Sequence, residues 1–283
     1  MSVIFNQMFS RYTILTKDDE INATHEIMQQ ITLAALYRSG FYDKATFYGG
    51  TCLRIFYNLP RFSEDLDFSL LQKDESFNIE NYFDSIYSEF KALGRDIIIT
   101  KKNKKNSDIE SAFLKDNTDI YNISFQTQKA IKIKIEVDKT PPLKFNTQYN
   151  LLLQPFSFNT RCFDIESLFA GKIHAFLFRN WKTRIKGRDW FDFEWYVKNS
   201  YGLNFIHFKE RALQSGHVNN SFSKDDFKQL MVERIKSVDL NLVKKDVRPF
   251  IKNEKDLNFW TTDYFIQLTN LIKYSSESNI ILE

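Results

Sequence analysis

Cysteine is scarce. Cys52 and Cys162 are the only two in 283 residues, too few for a disulfide framework, and neither has a His or a second Cys at metal-ligand spacing. That excludes small disulfide-stapled folds and the common zinc modules, and it suits a reducing, cytoplasmic setting. Long apolar runs are lacking too. No stretch approaches the roughly 18 apolar residues of a membrane span, and Met1 to Ser10 has neither the basic start nor the apolar stretch of a signal peptide. A soluble protein with no membrane partner is expected. The four histidines, His25, His174, His207 and His217, form no metal spacing and no triad, so they read as core or surface residues. Strong net charge is absent as well: +3 overall, with a pI near 8.6, gives a weakly basic field that does not by itself announce a nucleic-acid binder. No internal repeat or low-complexity tract is visible.

What is present is a globular composition, 43% hydrophobic and 27% charged, enough for one or two cores. The abundance of Phe, Lys, Asn and Ile is also what an A/T-rich genome yields, so the aromatics are read as core and not as a base-stacking surface. Apolar positions from Lys17 to Arg38 fall near helical spacing behind a polar Thr16-Lys17-Asp18-Asp19 start, with Ser39-Gly40 as the stop. Ala45 to Tyr48 reads as a short strand running into Gly49-Gly50-Thr51, and Cys52 to Tyr57 as a helix stopped before Pro60. Leu66, Phe68 and Leu70 alternate with Asp65, Asp67 and Ser69, so a strand here carries both carboxylates on one face. A helix near 78–93 and strands near 96–101, 121–126 and 130–137 follow. In the last of these Lys132, Lys134, Glu136 and Asp138 share a face, and Pro141-Pro142 breaks it. Beyond Pro155 the pattern is helical at 164–180, at 189–199 and over most of 223–283. The expected fold class is therefore α+β, a mixed sheet flanked by helices over 1–155 and a helical domain over 156–283.

The chemistry concentrates in one stretch. Transfer of a phosphoryl or nucleotidyl group needs donors for the triphosphate and carboxylates for divalent ions. Gly49 and Gly50 remove side chains where a backbone must approach phosphate oxygens, the helix starting near Thr51 offers unpaired N–H groups, and Thr51 adds a hydroxyl. Asp65 and Asp67 project side by side and repel unless hard cations lie between them, so magnesium is the natural partner. Two-metal sites want a third carboxylate from a neighbouring strand. Glu136 is preferred, with Asp138 on the same face as the fallback. Either element alone is ordinary; together they put a Gly-rich turn and a carboxylate pair at adjoining strand ends, where α/β ligands bind.

Phe47-Tyr48-Gly49-Gly50-Thr51-Cys52-Leu53-Arg54 followed by Leu59-Pro60-Arg61-Phe62-Ser63-Glu64-Asp65-Leu66-Asp67-Phe68 resembles the first two motifs of the AbiEii/AbiGii toxin family. These are nucleotidyltransferases of the DNA polymerase β superfamily that include the MenT toxins. Glu166-Ser167-Leu168-Phe169-Ala170-Gly171-Lys172-Ile173-His174-Ala175 resembles the third motif, with its helix-borne lysine, and Arg188-Asp189-Trp190-Phe191-Asp192 the fourth, with a second Asp three positions on. The resemblance implies a nucleotidyltransferase fold and two magnesium ions on Asp65, Asp67 and Glu136. It also implies an NTP substrate held by Gly49, Gly50, Thr51 and Lys172, an RNA acceptor such as the tRNA 3′ end, and a toxin–antitoxin or phage-defence setting with a cognate antitoxin. Lys172 then serves as a point charge for the triphosphate, and Asp189 orients that lysine or the loop beside it, or is a structural ion-pair partner.

Blander assignments compete at several positions. Arg61 and Ser63 shape the turn before Asp65, with Arg61 touching either phosphate or a nearby carbonyl, and Arg54 pairs with Glu64 or Asp65. Lys101 to Lys105 and the run Lys182, Arg184, Lys186, Arg188 are either an RNA backbone contact or a solvated face. Trp181, Trp190 and Trp195 are read as core. Two rival functions remain: a catalytically silent nucleotide- or RNA-binding module, and a nucleotidyltransferase that modifies a protein or a small molecule.

Overall fold

The structure is a computed structural model and describes residues 3–101, 118–125, 132–179, 185–251 and 254–275. After a short helix α1 (Val3–Phe9), a capping box opens α2 (Lys17–Arg38): the Asp19 amide donates to Thr16 Oγ1 at 3.2 Å and the Thr16 amide to Asp19 Oδ2 at 2.9 Å. Gly40, at φ 72°, turns the chain out of α2 in the left-handed region that glycine tolerates.

Strand β1 (Ala45–Tyr48) runs directly into α3 (Gly49–Tyr57), and β2 (Asp65–Leu70) returns antiparallel to β1. Helix α4 (Phe83–Ala92) packs on α2; the expected helix from 78 begins as a 3-10 turn at Ile79–Tyr82. Strands β3 (Ile97–Lys101), β4 (Thr118–Phe125) and β5 (Lys132–Asp138) form an antiparallel set, and β5 then lies parallel to β2. Residues 126, 130 and 131 of the two expected strands lie outside the described residues.

The pair β6 (Thr147–Leu152) and β7 (Phe158–Phe163) went unread in the sequence. It completes a seven-stranded sheet in the order β3-β4-β5-β2-β1-β7-β6, with β7 parallel to β1. The mixed sheet thus runs past residue 155: Pro155 punctuates the β6–β7 turn, and the helical part begins nine residues later, when Asp164 caps α5 (Ile165–Phe178) by accepting from the Ser167 amide at 2.8 Å.

The helical part comprises α6 (Gly187–Lys198), β8 (Gly202–Leu203), α7 (Phe205–Gln214), α8 (Lys224–Ser237), α9 (Leu240–Val247), α10 (Thr262–Asn270) and β9 (Lys273–Tyr274), which pairs with β8. The tail of the expected helical stretch, 276–283, lies outside the described residues. A single apolar cluster runs from the sheet into these helices. Phe163 on β7 stacks on Phe145 at 4.2 Å, and Phe169 on α5 stacks on Tyr196 of α6 at 4.2 Å. Each fully buried ring contributes about 2 kcal/mol, and the Phe169–Tyr196 stack fastens α5 to α6. Trp190 is core, as expected. Among the described residues no helix is long and apolar enough to cross a membrane.

Candidate active site

The turn between β1 and α3 is shaped by what two glycines leave out. Gly49 has φ 85°, and a Cβ there would stand 2.1 Å from Asp67 Oδ2. Only glycine lets the Asp67 carboxylate lie against the turn, where α3 begins without any side-chain cap. A Cβ on Gly50 would stand 2.6 Å from Ser63 Oγ and 3.3 Å from an Arg61 nitrogen, so the second glycine lets the 61–63 segment close over the turn. Thr51 is fully buried and its hydroxyl donates to the Asp65 carbonyl. Its hydroxyl ties α3 to the start of β2 instead of offering a free donor to phosphate.

Asp65 and Asp67 occupy one face of β2, and the parallel register sets Asp67 beside Glu136 and Asp65 beside Lys134 on β5. Lys134 was noted in the sequence only as a face-mate of Glu136. Its Nζ lies 3.1 Å from Asp65 Oδ2 and 2.6 Å from Glu136 Oε1. Burial alone would lower the Lys134 ammonium's pKa, but Glu136 and Asp65 outweigh it and push it above the usual lysine range. Burial, then Glu136 and Asp65, push the Asp67 carboxyl up to about 7, against the lowering influence of Lys134 and Lys172. Of the two candidates for the third carboxylate, Asp138 stands further along β5, opposite Ser69, and accepts from the Thr140 amide at 3.1 Å.

Among the described residues no three His, Cys, Asp or Glu side chains stand in a finished metal cage. The donor chemistry nonetheless fits a hard divalent cation: carboxylate oxygens on one sheet face, with the Asp67 carboxyl raised toward neutrality first by burial and then by Glu136 and Asp65.

Across from the sheet, α5 presents Lys172 on its side facing Asp67. The residue that holds Lys172 is Asp192, not Asp189: Lys172 Nζ lies 2.8 Å from Asp192 Oδ2. Asp192 is wholly buried and also takes a two-pronged ion pair from Arg61, Nε and Nη2 each at 2.6 Å. Burial would raise the Asp192 carboxyl, yet Arg61 and Lys172 hold it well below the usual carboxylate range. Arg61, itself buried, also donates to the Phe62 carbonyl at 3.0 Å, so its expected alternative of touching phosphate is replaced by a structural tie between the 61–63 segment and α6.

Asp189 instead pairs with Arg179, at 3.0 Å. One helical turn separates Asp189 from Asp192, so the two acids lie on neighbouring positions of α6, the first paired with Arg179 at the end of α5 and the second with Lys172 and Arg61. Lys186 lies nearby; burial, and then Arg179, lower its ammonium to about 8. Arg188 lies over the Phe250 ring at 4.1 Å.

Two further contacts were not read in the sequence. Gln29 of α2, 1% exposed, donates to the carbonyls of Ser63 at 2.9 Å and Glu64 at 3.1 Å, holding the segment that leads into Asp65. Arg54 pairs with Glu26 at 3.1 Å and donates to the Leu59 carbonyl at 3.2 Å, not to Glu64 or Asp65. Lys101 pairs with Glu80 at 3.3 Å. Lys102, Lys104 and Lys105 of the basic loop, and Trp181, Lys182 and Arg184, lie outside the described residues.

Among solved structures, JHP933 from Helicobacter pylori matches with a TM-score of 0.51 at 20% identity, over 91% of this chain and 93% of that one. A second H. pylori structure, a candidate nucleotidyltransferase, matches with a TM-score of 0.48 at 22% identity, over 91% and 93%. MenT4, the nucleotidyltransferase toxin Rv2826c from Mycobacterium tuberculosis H37Rv, matches with a TM-score of 0.47 at 15% identity, over 87% and 73%. At such identities the first of these speaks for the fold alone. Among curated proteins none matches significantly. The profile of the nucleotidyl transferase AbiEii toxin family, of type IV toxin–antitoxin systems, matches residues 31–266 and so takes in the turn, both carboxylate strands, Lys172 and Asp192. With that profile spanning the sheet and nearly all of the helical part, the chain belongs to the AbiEii family of nucleotidyltransferase toxins.

Proposed function

We propose that this nucleotidyltransferase moves a nucleoside monophosphate from an NTP onto an acceptor hydroxyl of RNA, with release of pyrophosphate, in a magnesium-dependent reaction. One observation carries the proposal: Asp65, Asp67 and Glu136 share one sheet face, and Lys172 is close enough to lower the Asp67 pKa from across the cleft. In this reading Asp65, Asp67 and Glu136 hold two magnesium ions, which when bound offset the charge of the triphosphate and make the attacking hydroxyl more acidic. The bare backbone at Gly49 and Gly50 and the uncapped start of α3 receive phosphate oxygens. Lys172 supplies a point charge to the triphosphate, held in place by Asp192. Glu136 accepts the proton of the attacking hydroxyl.

The cations gathered around Lys186, namely Arg179, Arg188 and Lys172, favour a polyanionic acceptor over a neutral small molecule. The tRNA 3′ end is the first acceptor to try, the cytoplasm the place of action, and a cognate antitoxin protein the regulatory partner. The test incubates each α-labelled NTP with magnesium, total RNA and cell extract. Wild-type enzyme is expected to label RNA, and the Asp65→Ala, Asp67→Ala double variant, still folded, to label nothing. Labelling by the double variant at the wild-type rate would falsify the site. Label appearing only in protein or in small molecules would overturn the RNA acceptor.

A further inference from the structure

We propose that Lys134 is a resident counter-cation of the carboxylate site: in the nucleotide-free enzyme its ammonium occupies the ground between Asp65 and Glu136, and a divalent ion binds there only by displacing it. The inference rests on the reading of Asp65, Asp67 and Glu136 as the metal site. Lys134 Nζ contacts both Asp65 and Glu136, from 3.1 and 2.6 Å. These are two of the three carboxylates an ion must share, and an ammonium and a divalent cation repel at such range. The strand register makes the arrangement a built one. Lys134 lies beside Asp65, Glu136 lies beside Asp67, and both strands are central in the sheet, so the lysine cannot be carried away by backbone movement.

Its side chain has somewhere else to go. It is 29% exposed, and four methylenes allow the head to swing outward while the stem stays against the sheet. An outward-swung ammonium at the rim of the cleft gains a new partner when a triphosphate is present. The consequence is coupling. The free enzyme binds divalent ions weakly, and nucleotide raises metal affinity because it gives the displaced lysine a counter-charge.

The experiment measures Mn2+ binding to the purified full chain by electron paramagnetic resonance, with and without a non-hydrolysable NTP analogue. Lys134→Met is expected to bind Mn2+ at least tenfold more tightly than wild type without nucleotide, and to lose most of the nucleotide-induced gain. Lys134→Arg, which keeps the charge, is expected to stay close to wild type. Equal or weaker Mn2+ binding by Lys134→Met, with binding lost in an Asp65→Asn, Asp67→Asn control, overturns the proposal and leaves the metal site standing. No Mn2+ binding by any of the proteins sinks the metal site itself. Should Lys134→Met fail to fold, amine labelling of wild type decides. Labelling at Lys134, read by mass spectrometry, is expected to rise severalfold on adding Mn2+, and an unchanged level overturns the displacement.

Discussion

Asp192 links the segment before β2 to α5 through one buried carboxylate. It is 0% exposed and neutralises two cations at once, Arg61 from the segment before β2 and Lys172 from α5. Removing its charge leaves a buried guanidinium uncompensated, a change that typically costs about 3–5 kcal/mol. Asp192→Asn is therefore expected to lower stability by that order in chemical unfolding, and to abolish nucleotide transfer even where folding is rescued by low temperature. Asp189→Asn takes the charge away from Arg179, whose side chain is 24% exposed, and from the nearby Lys186, but leaves the ion pair that holds Lys172 intact; it is expected to cost less stability than Asp192→Asn and to leave measurable activity. If the two variants exchange rank in both measurements, the assignment of the lysine-positioning role to Asp192 fails. The sequence came within one helical turn of this. Arg188-Asp189-Trp190-Phe191-Asp192 displayed both acids, but the partner that selects the second is Arg61, 131 residues away, and no local periodicity reports a contact of that range. Lys134 escaped for a different reason: its alternation with Glu136 was legible, while an ammonium lodged between carboxylates is a property of register, which emerges only when β5 is laid against β2.

At the level of elements, the site is a junction of one strand end, one helix start and one tether. The turn–helix–strand order around Gly49 and Asp65 was legible because all of it falls within 26 residues and each piece has its own local signal: bare glycines, a period of two, a proline stop. Strands β6 and β7 were not legible. In Thr147–Leu152 the apolar Tyr149 and Leu151 alternate with Gln148 and Asn150, but on this edge strand it is the apolar pair that is exposed, so the pattern does not report a buried face. The tether is Gln29, a buried polar side chain of α2, and its two bonds fix the backbone that delivers Asp65. Gln29→Leu preserves volume and strips both donors, leaving the Ser63 and Glu64 carbonyls short of a partner at a cost of about 1–3 kcal/mol. The functional loss is expected to exceed the stability loss, because the freed segment no longer holds the carboxylate pair in register with the Gly49 turn. A kcat reduction of tenfold or more at temperatures where the variant remains folded is the expected outcome. Unchanged kcat would show that β2 alone positions Asp65.

For the whole molecule the question is what keeps the helical part seated so that Lys172 faces the sheet, and His207 supplies a handle on it. It sits on α7, fully buried between the edges of Phe145 and Phe163, with Nδ1 donating to the Leu143 carbonyl at 2.8 Å, so it pins a helix to the connection between β5 and β6. Burial, and secondarily Arg211, push its pKa down to about 3 from an ordinary 6.5. The sign of the linkage follows. Above pH 6.5 neither the folded nor the unfolded chain protonates this imidazole, and it contributes no pH dependence. Between about 6.5 and 3 the unfolded chain takes up the proton and the folded chain does not, so stability falls by about 1.4 kcal/mol per pH unit as pH drops. The carboxylates of the molecule add their own loss at the acid end, which makes the informative quantity a difference between two proteins. His207→Asn keeps a donor for the Leu143 carbonyl and cannot protonate. Unfolding free energy measured from pH 7 to pH 5 is expected to fall more steeply in wild type than in His207→Asn, by about 1 kcal/mol per unit once pH is below 6. Parallel stability curves for the two proteins would mean that His207 is solvated or already charged in the folded state.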